Sequence, residues 1–100
     1  MGTKKAIFHP DSIRDAQSAY GWYYNNSPSA ADGFIAEIDE AMELIIKHPK
    51  RWPEFIYGTR RYLLKRYPFS LVYLETAKEI QVIAVAHAKR RPGFWKERRI

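Results

Sequence analysis

One hundred residues, 46% of them apolar and 15% aromatic, can fill one modest core and hold too many core-forming side chains for a disordered chain. The absence of cysteine excludes a disulfide-stapled framework and points to a reducing compartment, the cytoplasm; no apolar run approaches the roughly 18 residues of a membrane span, so no membrane role is expected. The net charge of +6 is unevenly placed: residues 1–43 hold 3 basic and 7 acidic groups, residues 44–100 hold 14 basic and 4 acidic, a separation of sign that attracts a polyanion or an acidic protein to one side unless water alone covers it.

The opening "MGTKKAIF" has charge but no apolar h-region, so no signal peptide is expected, and Ala6 breaks the myristoylation pattern. Lys4–Phe8 reads as a first strand. Pro10 blocks its continuation and Asp11 suits a helix N-terminus. Ile13, Ala16, Tyr20 and Tyr23 then recur at helical spacing until "NNSP" at 25–28, where Ser27 fits an N-cap and Pro28 a first-turn position of a second helix. That helix carries Phe34, Ile35, Ile38, Ala41, Met42, Ile45 and Ile46 on one stripe, with Lys47 and His48 at its C-terminal end and Pro49 as its stop. The short loop between the two predicts an antiparallel helical hairpin.

After "PKRWPEF" the period becomes strand-like. Arg60–Arg66, Phe69–Glu75 and Ile80–His87 are the strand candidates, joined by "YP" at 67–68 and "TAKE" at 76–79, connections short enough for an antiparallel meander. Pro92-Gly93 breaks the last strand, and Phe94–Arg99 is expected to form a final helical turn. The order β-α-α-β-β-β predicts an α+β domain over residues 1–100, a small curved antiparallel sheet packed against an α-helical hairpin.

In "TRRYLLKR" (59–66), alternation places Arg61, Leu63 and Lys65 on one face and Arg60, Tyr62, Leu64 and Arg66 on the other. Four cations so close repel unless an anion answers them, or they guard an edge strand against aggregation. His87 closes the last strand, followed by Lys89, Arg90 and Arg91. A histidine can exchange a proton near neutral pH and arginines can hold phosphate with two hydrogen bonds, the ingredients of metal-free RNA cleavage; a histidine at a strand end also serves structure. Trp95, beside Lys96, Arg98 and Arg99, could stack on a base or, with Phe94, anchor the tail. No metal or other cofactor is expected: His9, His48 and His87 are scattered, and no Gly-rich phosphate loop or G-x-S-x-G is present.

Several segments together resemble one known family. They are "FHPD" opening the first helix, "WY" at 22–23, "PKRWP" at 49–53, "GTRRYLLKRYPF" at 58–69, "VY" at 72–73 and "AVAHAKRRPGFW" at 84–95. In order and spacing the chain resembles the RelE/ParE superfamily of toxins from type II toxin–antitoxin pairs, and within it the ParE-like branch. The resemblance implies a growth-inhibiting toxin, of the plasmid-stabilising kind, silenced by a cognate acidic antitoxin that wraps an amphipathic segment around it. It implies one of two targets: DNA gyrase, poisoned by binding, or ribosome-bound mRNA, cut by RelE-like members. Cutting members carry an Arg just before "LVY" in the third strand, where this chain has Ser70, and a His or Tyr near the C-terminus, where it has Trp95. These departures favour the gyrase mechanism. The alternative is a ribosome-dependent endoribonuclease (an mRNA interferase) using His87 with Arg61, Lys65 and Arg90; a further alternative is a non-toxic member. The surface expected to bind target or antitoxin comprises Arg60, Arg61, Lys65, Arg66, Lys89, Arg90, Arg91 and Trp95. Nothing in the sequence fixes the oligomeric state.

Overall fold

The computed structural model describes residues 4–100; Met1–Thr3, which begin the segment read as lacking a signal peptide, lie outside them. The elements are β1 (Lys5–Phe8), α1 (Pro10–Asn26), α2 (Pro28–Lys47), β2 (Arg60–Leu63), β3 (Phe69–Glu75) and β4 (Glu79–His87), the expected β-α-α-β-β-β order. One residue, Ser27, separates the helices. It caps α2 by accepting from the Ala30 N–H at 3.3 Å, with Pro28 in the first turn, as the sequence predicts. The cap of α1 is less familiar: the His9 ring takes the place of a Ser or Asp, its Nδ1 accepting from the Asp11 N–H at 3.0 Å.

The strands lie in the order β1-β4-β3-β2. The last three form the expected antiparallel meander, and β1 joins parallel to β4, pairing Lys5 with Glu79 and Phe8 with Val82. The sheet is therefore mixed. The two helices supply the long crossover that a parallel neighbour requires. A register shift between Val72 and Tyr73 adds local twist.

Both faces of the sheet are partly covered, by different means. On one, the helices bury Phe34, Ala41 and Ile45 against Tyr62, Leu71, Tyr73, Ile80 and Val82. Trp52 closes this core from below, 4.9 Å from the Tyr62 ring. Tyr73 is fully buried, its hydroxyl donating to the Pro49 carbonyl at 2.7 Å, and burial pushes its pKa up to about 12. On the other face Val72, Ile83, Ala84 and Ala86 form a smaller cluster with Trp95, packed by Phe55, Leu74 and Phe94. Here the cover is the loop after α2 and the C-terminal tail.

The sequence reading of β2 needs correction. The strand ends at Leu63 rather than Arg66, because a buried carboxylate captures the backbone beyond it. Glu37 on α2, 4% exposed, accepts from the N–H groups of Lys65 and Arg66. Tyr67 then donates to the Ala30 carbonyl at 2.7 Å. These bonds pull residues 64–68 out of strand geometry and onto α2. Glu37 is tolerated in the interior because hydrogen bonds answer its charge.

Candidate binding groove on the open face of the sheet

The tail is held down before it can form a site. Asp15 on α1 receives Arg98 at two oxygens, 2.7 and 3.2 Å, and also accepts from the Val85 N–H at 3.1 Å. Arg98 donates in turn to the Ile83 carbonyl at 3.0 Å. β1 pairs with β4 only as far as Val82, so this ion pair satisfies backbone groups that β1 leaves unpaired on that edge. Gly93 (φ 88°) lets the tail pass close to the loop: a Cβ there would lie 2.9 Å from the Tyr57 ring. Successive turns, with Phe94 N–H to the Arg91 carbonyl and Lys96 N–H to the Gly93 carbonyl, then seat the aromatics.

Between loop, tail and sheet lies a groove of about 270 Å³ whose lining includes Arg61, Leu63, Ser70, His87, Arg90 and Phe94. No carboxylate is among its lining residues. Its guanidiniums are backed by rings instead: Arg61 lies 4.0 Å from the Phe55 centroid and Arg90 3.7 Å from that of Phe94. Behind them Trp95 stacks on Phe55 at 5.6 Å and meets Phe94 edge-on at 5.3 Å. Each stacked guanidinium keeps its edge N–H groups for a ligand and loses less side-chain freedom on binding, since the ring already restricts it.

His87 sits at the end of β4 opposite Phe69, its ring edge-on to Phe69 at 4.9 Å. Its Nδ1 accepts from the Lys89 N–H at 3.0 Å. A neutral imidazole has one acceptor nitrogen. With Nδ1 so engaged, Nε2 is the ring nitrogen left for a ligand.

Of the residues expected to share one surface, the structure gathers Arg61, His87 and Arg90. Lys89 and Arg91 flank Arg90 and are exposed, extending the positive charge beyond the groove. Arg60 lies apart from them, donating to the carbonyls of Trp52 (2.7 Å) and Lys50 (3.3 Å) and pairing with Glu54 at 3.6 Å. The Glu37-held bend places Lys65 and Arg66 beyond the strand, both exposed, and Arg66 pairs with Glu37 at 3.7 Å. Trp95, 3% exposed, braces the tail and offers no face to a base. Its Nε1 is buried without a hydrogen-bond partner. The sequence reading missed Phe55, Asp15 and Glu37. Phe55 alone left a trace, as an aromatic in a Pro-bounded loop beside an Arg-rich strand.

Among the described residues no group of three His, Cys, Asp or Glu side chains could hold a metal ion, and no helix is long and apolar enough to cross a membrane.

Comparison with known proteins agrees with this architecture. No curated protein matches the sequence. A solved structure described as the chromosomal ParDE TA system from P. aeruginosa superposes with a TM-score of 0.76 at 21% identity, covering 87% of this chain and 98% of that one, a likeness of fold. The family described as ParE toxin of type II toxin-antitoxin system, parDE, matches residues 6–92. The chain belongs to the ParE toxin family of type II toxin–antitoxin systems.

Proposed function

We propose that this protein is a growth-inhibiting toxin that acts in the cytoplasm by binding and poisoning DNA gyrase, and that a cognate acidic antitoxin silences it. Membership of the ParE family supports the toxin role. The observation that carries the choice of mechanism is the His87 ring: its Nδ1 is engaged by the Lys89 N–H, so one of the two nitrogens that a general base could use in RNA cleavage is already occupied. Ser70, in place of the arginine of RNA-cutting relatives, points the same way. So do Phe55 and Phe94, whose ring faces carry Arg61 and Arg90 and so are not free to stack on bases. A groove of stacked guanidiniums without a carboxylate suits the acidic side chains of a protein partner.

The test is a supercoiling assay with purified toxin, gyrase and plasmid. Loss of supercoiling with accumulation of cleaved DNA is expected. Undisturbed supercoiling at concentrations that stop growth would overturn the reading. His87→Gln is expected to remain toxic.

One observation favours a second reading, ribosome-dependent mRNA cleavage: Arg61, His87 and Arg90 do line one groove. In that case His87→Gln relieves toxicity and abolishes transcript cleavage. Intact messages in poisoned cells exclude it.

A further inference from the structure

Glu37 lies outside the open-face groove, yet one wall of that groove hangs from it. The carboxylate sits on α2, 4% exposed, and accepts from the consecutive N–H groups of Lys65 and Arg66. Ala30, Gly33 and Glu37 follow one another at intervals of three and four residues, so they share one stripe of the helix. All three meet the bend between β2 and β3. The Ala30 carbonyl accepts from the Tyr67 hydroxyl at 2.7 Å. Gly33 makes room for that hydroxyl: a Cβ there would lie 2.5 Å from it.

The bend so held is groove wall. Leu64, Tyr67 and Pro68 line the space together with Arg61 and Arg90. The Pro68 carbonyl accepts from the Ala88 N–H at 2.8 Å, and the Arg90 N–H closes a turn on the His87 carbonyl at 3.0 Å. A short path of hydrogen bonds therefore runs from Glu37 through residues 65–68 to the turn that carries Arg90. Arg61 stands off this path, fixed in β2 by its pairing with Val72. Stability alone gives little reason for a carboxylate at position 37, since an apolar side chain escapes the desolvation that a buried charge suffers. What the carboxylate adds is direction. Its two oxygens hold two successive N–H groups in charge-assisted bonds, and so fix where the chain turns.

We infer that Glu37 is a positioning residue for the groove. From the helical side of the sheet it sets the bend at 64–68 and, through Pro68 and Ala88, the placement of the Arg90 guanidinium over the Phe94 ring, 3.7 Å from its centroid. Arg61, over Phe55, is placed without it. A displacement of α2 is thus transmitted to one of the two guanidiniums and not to the other. The consequence for toxicity rests on the groove being the surface that meets the target, as proposed above; the placement itself does not depend on that reading.

The test compares Glu37→Gln, which keeps the side chain's length but loses its charge and one acceptor, with Gly33→Ala, which drives Tyr67 off α2 from another side. Both are made in the full chain and read by NMR. A guanidinium stacked on a ring carries a ring-current shift at its Nε–H. In both variants the Arg90 resonance is expected to lose that shift while Arg61 keeps it, and exchange of the Ala88 amide should accelerate about tenfold more than that of Leu71. Adding Tyr67→Phe to Gly33→Ala should restore the Arg90 shift, because the ring carbon behind the hydroxyl, Cζ, lies 3.7 Å from the added Cβ, an ordinary contact. If Glu37→Gln fails to fold, Gly33→Ala and its rescue carry the test. An unmoved Arg90, equal changes at Arg61 and Arg90, or uniform acceleration of exchange would each overturn the inference. On graded induction in cells, Glu37→Gln should need several-fold more toxin to stop growth, as should Arg90→Lys. Full toxicity of Glu37→Gln beside a weakened Arg90→Lys also overturns it. If both stay fully toxic while the Arg90 shift is lost, the positioning is upheld and the groove is not the surface that meets the target.

Discussion

The two faces of one sheet bury their apolar residues by opposite strategies, and the contrast locates the site. The helical face is closed by a regular amphipathic pair, and its charges are answered internally: Glu37 by backbone N–H groups, Arg60 by two carbonyls and Glu54. The open face is closed by irregular chain, and Arg61 and Arg90 lie on aromatic rings with no carboxylate in the groove. A cation already paired with a carboxylate has little left for a partner. A cation backed by a ring has its hydrogen bonds unspent.

The largest effect that tests this contrast is in the helical core. Phe34→Ala removes a fully buried ring and is expected to cost about 3–5 kcal/mol, measured by denaturant unfolding with an unchanged m-value. Trp95→Ala, on the open face, should cost less, roughly 2 kcal/mol, because the orphaned Nε1 already sets a desolvation penalty of about 1–3 kcal/mol against the indole's burial. The tail should loosen and antitoxin affinity fall. Equal losses at the two sites, with unchanged affinity for Trp95→Ala, would erase the distinction between the faces.

Next in size is the latch. Asp15→Asn leaves Arg98, 14% exposed, with only the more distant Asp11 carboxylate at 3.8 Å as counter-charge and is expected to cost about 1–2 kcal/mol, below the range for breaking a fully buried pair. Hydrogen exchange should accelerate at the Val85 amide, which Asp15 holds, more than at Leu71 in the sheet centre. Uniform acceleration would show that the tail is part of the global fold rather than a separable cover.

Smaller again is the exchange of Arg61 and Arg90 for lysine. Charge is kept while the planar, ring-backed fork is lost. Partner affinity should drop about tenfold for the pair of changes, or ~1.4 kcal/mol, with stability within about 0.5 kcal/mol of the parent. If lysine serves as well, the groove supplies only a positive field and the stacking on Phe55 and Phe94 has no part in recognition.

The regular half of the molecule was legible in the sequence because its signals are local. The stripe from Phe34 to Ile46, the Ser27-Pro28 boundary and the alternating strands each state their structure within a few residues, and the order of elements follows. What stayed hidden depends on residues far apart in the chain. Nothing near Lys65 announces that Glu37, 28 positions away, will end its strand. Nothing near Asp15 announces Arg98, 83 positions on. The site was legible in part for the same reason. His87 and Arg90, three residues apart, line the same groove, and the strand's alternation already sends the neighbours Arg60 and Arg61 to opposite faces, although both were expected on one binding surface. That β1 would pair with β4 was also beyond local pattern, since a parallel neighbour leaves no turn between the two strands to read.

The smallest expected effect tests the seam where the first strand, the loop after α2 and β3 meet. Glu75 accepts from Lys4 at 2.6 Å and from Lys50 at 2.9 Å, and the hydrogen bonds from Lys4 and then Lys50 hold its carboxyl below the ordinary value of 4.5. A carboxylate whose folded pKa is depressed adds stability that is complete above its unfolded pKa and is lost as pH falls through the folded one. Stability measured by urea unfolding should therefore decline on acidification below about pH 4.5, and Glu75→Gln should flatten that part of the curve. If Glu75→Gln leaves the acid limb unchanged, the ion pairs around Glu75 are surface contacts without consequence for folding.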